Sequence, residues 1–183
     1  MLKLMLLRHA KSDRSKDASA RGDHARPLSE RGRRSATLMG KHMLARKYVP
    51  SLVLCSTAER TRATWDLVRE ALEASPEVQY EDALYLADWP KLLEAVRATP
   101  DAPSPLLMIG HNPGMEQLAM AMTAKAKSSA ARALANVMAE KFPTGALAVL
   151  SFRGESWEDI KPGRGRLADF VRPKDIAADG DDD

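Results

Sequence analysis

The feature that most constrains this chain is a set of short apolar runs, too continuous for half-exposed strands and too short for helices. Leu2 to Leu7 is the first, broken only by Lys3, and Ser51 to Ser56 and Leu106 to Ile109 repeat the pattern further on. Runs of this length without alternation fit strands covered on both faces of a sheet, and the first should be a central strand. Between them lie stretches with helical spacing. Ser29 is placed to cap a helix that carries Ala36, Leu38, Met39, Met43 and Leu44 and ends before Pro50, and a helix from Thr57 onward sets Trp65, Val68 and Leu72 on one face. Further helices are predicted from Pro90 to Ala98, from near Met115, and from Ser128 to Lys141. Val78 to Leu86 contains a short extended segment, Ala146 to Phe152 reads as a fourth strand and Arg166 to Val171 as a fifth. Ser12 to Pro27 is polar and reads as a long loop, and Thr99 to Pro105 as a proline-rich link.

Strand and helix in alternation predict an α/β fold, a single three-layer α/β/α domain with a mainly parallel central sheet. Its 183 residues suit one core, formed by residues 1–174. Residues 175–183 carry five aspartates (Asp175, Asp179, Asp181, Asp182 and Asp183) and read as an acidic tail that does not fold by itself. The formal charge is +3, and setting those five aside leaves the body at +8, which suits an anionic substrate. With three Phe and three Tyr and no interleaving of aromatic and basic residues, nucleic acid is not an expected partner. No stretch approaches the roughly 20 apolar residues of a membrane-spanning helix, and none suits a secretory signal, so a cytoplasmic location is expected. The single cysteine, Cys55, rules out an internal disulfide and reads as a buried strand residue.

In parallel sheets, sites form at the carboxyl ends of strands, and the notable polar clusters all sit there. Arg8-His9 ends the first run, Ser56-Thr57-Ala58-Glu59-Arg60-Thr61-Arg62-Ala63-Thr64 follows the second, and Gly110-His111-Asn112-Pro113-Gly114 follows a later one. Together and in this order they resemble the histidine phosphatase superfamily: its Arg-His-Gly signature (with Ala10 in place of the glycine), its Ser-x-x-x-Arg-x-x-x-Thr segment, and its later catalytic histidine. The small size, the Leu-Arg-His-Ala-Lys-Ser start and the Gly-His-Asn-Pro-Gly loop are similar to the SixA-type phosphohistidine phosphatases.

The resemblance implies a phosphoglycerate mutase-like fold and a phosphohydrolase that works through a covalent phosphohistidine on His9. Arg8, Arg60 and a protonated His111 would surround the phosphoryl oxygens, with no metal and no cofactor required. Phosphoryl transfer needs an in-line nucleophile and positive charge around the equatorial oxygens, and a neutral imidazole is a competent nucleophile near neutral pH. Arg60 rather than Arg62 holds the family spacing from Ser56 and Thr64. Ser12, Ser15 and Asn112 are candidate substrate contacts, while His24 and His42 match nothing and read as solvated. The segment that supplies a proton-donating acid in many relatives offers only Asp82 and Asp88, either of which also reads as a turn or cap residue. A missing acid matters less for a phosphoramidate than for a phosphate ester, which favours phosphohistidine on a signalling or phosphotransfer protein. A small phosphorylated metabolite is the alternative substrate, and a non-catalytic module that binds a phosphorylated ligand is the alternative of another class.

Overall fold

A computed structural model of the chain describes residues 1–20, 22–99 and 104–178. Strand β1 (Leu2–Arg8) leads through a short helix α1 (Lys16–Ala20) to α2 (Glu30–Ala45). Then come β2 (Leu52–Ser56), α3 (Glu59–Leu72), β3 (Glu77–Glu81), a 3-10 turn (Asp82–Leu84), α4 (Trp89–Arg97), β4 (Leu106–Gly110), α5 (Gly114–Met122), α6 (Ser129–Glu140), β5 (Leu147–Phe152), β6 (Arg166–Val171) and α7 (Pro173–Ala178). The strands form one sheet in the order β3-β2-β4-β1-β5-β6. The β3-β2, β2-β4 and β4-β1 pairings are parallel, whereas β5 and β6 add as an antiparallel flank. β1 is central, as its nearly continuous apolar run predicts.

Successive strand side chains point to opposite faces, and that alternation divides the core. Leu4 and Leu6 of β1, Leu52 and Leu54 of β2 and Leu106 and Met108 of β4 pack with Leu92, Val96, Met115 and Leu118 of α4 and α5. Met5, Leu7, Val53, Cys55, Leu107 and Ile109 face the other way, onto Met39 and Met43 of α2 and Trp65, Val68 and Leu72 of α3. Cys55 is fully buried, and burial pushes its thiol up to about 12.

The helix starts follow local chemistry. The Ser29 hydroxyl accepts from the Gly32 N–H at 3.2 Å, Asp88 accepts from Lys91 N–H at 3.3 Å with Pro90 in the first turn of α4, and Ser128 caps α6 through Ala131 N–H. Two predicted boundaries need correction. The Ser12–Pro27 loop contains α1, whose Lys-Asp-Ala-Ser-Ala sequence has helical propensity but no apolar face to reveal it. Residues 175–178 of the expected tail are helical: Pro173 starts α7, Asp175 takes the Arg172 guanidinium through Nε and Nη2, and Ile176 packs on the core. Residues 179–183, and residues 100–103 of the proline-rich link, lie outside the described residues.

The contact that most directly positions the site is the landing of α2 on the chain just after β1. Ser29 N–H donates to the Lys11 carbonyl at 2.9 Å, its hydroxyl donates to the same oxygen at 3.1 Å, and Gly32 presses so close to that carbonyl that a β-carbon has no room. Gly32→Ala should therefore cost about 1–3 kcal/mol, the usual range for overpacking, and displace the segment after His9. Thermal denaturation of the variant checks this, with the melting temperature expected to fall.

Candidate active site

The site assembles at the carboxyl ends of β1, β2 and β4. Backbone bonds fix His9 on both sides: its N–H donates to Gly110 O at the end of β4, and its carbonyl accepts from Gly145 N–H just before β5. The His9 side chain is 7% exposed, and its Nδ1 lies 2.7 Å from the Ala10 carbonyl. A carbonyl can only accept, so Nδ1 carries the proton and Nε2 is left with its lone pair. Ala10 does not adopt positive φ, so the backbone there does not require the glycine of the signature it resembles.

Arg60, in the first turn of α3 and 2% exposed, is the hub. Its Nε donates to His9 Nε2 at 3.3 Å, its Nη2 to His111 Nδ1 at 3.2 Å and to Asp23 Oδ2 at 3.0 Å, and its Nη1 to the Asp23 carbonyl at 2.6 Å. Because Arg60 can only donate, His111 accepts through Nδ1, and its Nε2–H donates to the Ser56 hydroxyl at 2.9 Å. The Ser-x-x-x-Arg-x-x-x-Thr spacing thus has a physical meaning. Ser56 orients His111 from the strand end. Arg60 enters the site one turn later, and Thr64, one further turn along the same face, accepts from Ala10 N–H at 3.0 Å while donating to Arg60 O at 2.6 Å. Arg62 points away and stacks over the Tyr80 ring.

Arg8 Nη1 donates to Phe142 O, which also accepts from Asn112 Nδ2, while Arg8 Nε and Asn112 Oδ1 are buried without a hydrogen-bond partner. These groups line a cavity of about 840 Å³ together with Ser12, which is buried. Of the other candidates, Ser15 is exposed and outside the cavity, because the Asp13 carboxylate binds its N–H as the chain turns into α1. Asp82 and Asp88 are also outside it. Asp82 accepts from the Thr57 hydroxyl and Asp88 caps α4, so local hydrogen bonding, not the site, accounts for both. His24 is exposed beside Thr57 and Tyr85, and His42 is half-buried on α2.

Burial governs the charge of both histidines before anything binds. Burial, reinforced by the charges of Arg60 and Arg8, pushes His9 down to about 3, and burial together with His9 and Arg60 does the same to His111. Both imidazoles are neutral at pH 7 in the free site, whereas the protonated His111 expected from sequence belongs to the phosphoryl-bound site. A phosphoryl dianion entering between them supplies the negative charge that would raise His111.

Asp23 is the residue that sequence reading passed over. Its carboxylate accepts from Arg60, from Arg26 at 2.8 Å and from the Tyr85 hydroxyl at 2.6 Å, and the Tyr85 hydrogen bond, with the two guanidinium groups, holds it below the usual carboxylate range. The only sequence signal is an Asp-x-x-Arg pair just before the helix cap at Ser29. Among the described residues, no group of three or more His, Cys, Asp or Glu is arranged to hold a metal ion.

Residues 4–92 match the family described as Histidine phosphatase superfamily (branch 1). An uncharacterised protein of Mycobacterium tuberculosis strain H37Rv is 37% identical over 168 residues, 92% of this chain and all of its own. The crystal structure of SixA from Agrobacterium tumefaciens is 31% identical, with TM-score 0.76 over 94% of this chain and 98% of that one. SixA from Nakamurella multipartitia is 30% identical, with the same TM-score, covering 94% and 96%. The chain belongs to the histidine phosphatase superfamily.

As a phosphatase of that superfamily, it brings polar groups of the three sequence clusters together, with Asp23, Arg26 and Tyr85 as additional supports. A consequence of the neutral histidines is testable. Each titrates near 6.5 when unfolded and at about 3 in the fold. Between these values the unfolded chain binds protons that the folded one does not, so stability falls as pH drops below 6.5, at about 1.4 kcal/mol per pH unit for each group. Melting temperature measured from pH 7 to pH 5 should fall less steeply for His111→Asn than for the wild-type protein.

Proposed function

We propose that this chain is a metal-independent phosphohydrolase that transfers a phosphoryl group to His9, and that its substrate is phosphohistidine on a signalling or phosphotransfer protein. The observation that carries the reaction is the His9 tautomer: Nδ1–H is tied to Ala10 O, leaving Nε2 as the lone-pair atom beside Arg60. On binding, phosphoryl oxygens would take the N–H groups of Arg60 and the unpartnered Arg8 Nε, releasing Nε2 to attack phosphorus. The bond from phosphorus to the departing imidazole breaks, and its electron pair stays on that ring, which departs protonated. Water then attacks the phosphoenzyme, the phosphorus–Nε2 bond breaks, and inorganic phosphate leaves with His9 neutral again.

The substrate assignment rests on the leaving group. An alkoxide needs a proton from the enzyme, whereas an imidazole that is protonated on its ring does not. Asp82 and Asp88 are engaged outside the cavity, and Asp23, though inside it, is held ionised by three donors. A site without a protonated acid suits a phosphoramidate. The two SixA proteins to which this chain is similar carry the name phosphohistidine phosphatase, which supports the same reading. A small phosphorylated metabolite is the second reading, and Asp23 is the observation that favours it, since a dianion sharing Arg60 would raise that carboxyl toward an acid's range.

Rates on a phosphohistidine protein and on a panel of alkyl phosphates, with and without chelator, separate the two. Phosphohistidine turned over faster, and unaffected by chelator, is the expected result. His9→Ala should abolish both turnover and acid-labile labelling of the protein, and Arg60→Ala should lower kcat about 10²–10³-fold. Full activity in His9→Ala would remove the mechanism.

A further inference from the structure

The buried groups account for the floor of the cavity but not for its mouth. Arg14, Arg31, Lys141 and Lys174 line it from four separate segments, all exposed, and none is ion-paired with a carboxylate among the described residues. Of the other cations of the lining, Asp23 takes Arg60 and Arg26 and Asp175 takes Arg172, whereas Arg8 is held on the floor by Phe142 O and the exposed Lys11 has no ion pair among the described residues. Glu140 is the remaining carboxylate of the lining. Arg31 sits in the first turn of α2, where the helix dipole already points positive charge, so its placement opposes local stability.

One apolar side chain shares this mouth. Leu86 is 53% exposed and lines the cavity with φ of 50°, a left-handed conformation that leucine adopts at a cost and that Asn or Gly adopts readily. Its neighbours are fixed by the site, Tyr85 through Asp23 and Ala87 through the close approach of Gly114 to its carbonyl. That explains the backbone conformation but not the leucine.

We propose that the unpaired cations at the mouth, with Leu86, form a docking surface for an acidic protein segment with an apolar residue near its phosphorylated side chain. This rests on the reading of the substrate as a phosphoprotein and names its chemistry. A second phosphate on a small substrate would call for buried, hydrogen-bonded donors like those around Arg60. Exposed, strongly hydrated lysines and arginines instead suit a spread acidic surface, which they attract over a Debye length and hold with salt-sensitive contacts. An exposed leucine held in a costly conformation has no use against a small polyanion and fits an apolar side chain of a partner.

The test is calorimetric titration of the intact protein with a ten-residue unphosphorylated peptide in which histidine is flanked by glutamates and a leucine. The same peptide with glutamine for glutamate, and tripolyphosphate, serve as comparisons. The acidic peptide should bind more tightly than the glutamine peptide and weaken as salt is raised. Arg31→Ala with Lys174→Ala should weaken it about three- to tenfold. Leu86→Asn should weaken it about threefold without lowering the melting temperature, an outcome that a purely structural leucine does not give. Equal binding of the two peptides, unchanged affinity in both variants, or tight tripolyphosphate binding without peptide binding would each overturn the proposal. Because no hydrolysis is measured, failure to cleave phosphohistidine would remove the functional reading while leaving a positive docking result standing.

Discussion

Arg60 is a permanently charged side chain buried inside the protein, and the geometry of the site follows from how that charge is accommodated. Removing a guanidinium from water is costly unless its donors are matched and its charge is answered. Here the donors reach His9, His111 and both the backbone and side chain of Asp23, and the Asp23 carboxylate answers the charge. The planar fork spans two imidazoles whose ring centres lie 5.2 Å apart, so it fixes their separation and tilt. A lysine could supply the charge but not this geometry.

The same guanidinium dictates the protonation of the site. With Arg60 and Arg8 close by and little water present, an imidazolium at either position would be repelled and poorly solvated, so both histidines stay neutral. Neutrality gives His9 its lone pair. It also means that the free site holds Arg8, Arg26 and Arg60 and the Asp23 carboxylate about the nucleophile, a balance that a phosphoryl dianion changes by competing with Asp23 for the same N–H groups. Asp23 is half exposed where Arg60 is buried, and it is carried on the chain between α1 and α2, so it is the member able to give way.

Much of this was legible from sequence because it depends on local spacing. The continuous apolar run of β1 marks a strand buried on both faces, and its end locates Arg8 and His9. The i, i+4, i+8 spacing of Ser56, Arg60 and Thr64 puts Ser56 at the end of β2 and Arg60 and Thr64 one turn apart on one face of α3, which is why Arg60 and not Arg62 turns inward. What escaped depends on tertiary contacts. Asp23 lies far from Arg60 in sequence, in a polar stretch with no periodicity to read, and contacts distant in sequence bring it over the guanidinium: the landing of α2 on Lys11, Asp13 N–H on Pro27 O and Glu59 N–H on His24 O. Asp82 and Asp88 stand in the segment where the resemblance implies an acid, but a tertiary bond from Thr57 claims Asp82 and the first turn of α4 claims Asp88. The neutrality of His111 was equally out of reach, since it follows from burial beside Arg60.

Burial also sorts the polar residues by task. Arg60, His9 and His111 are held by rigid strand ends and a helix start, so small changes in their spacing are resisted by the whole sheet. Ser12 and Thr64 are buried with them, one lining the cavity and the other tying the chain after β1 to α3. The cations at the mouth are long and exposed, so their ends are free to follow the shape of whatever approaches. A fixed floor and an adaptable rim divide the work of the site: the floor sets the chemistry, which depends on positions held to tenths of an ångström, and the rim acts on encounter and choice of partner, which depend on summed charge.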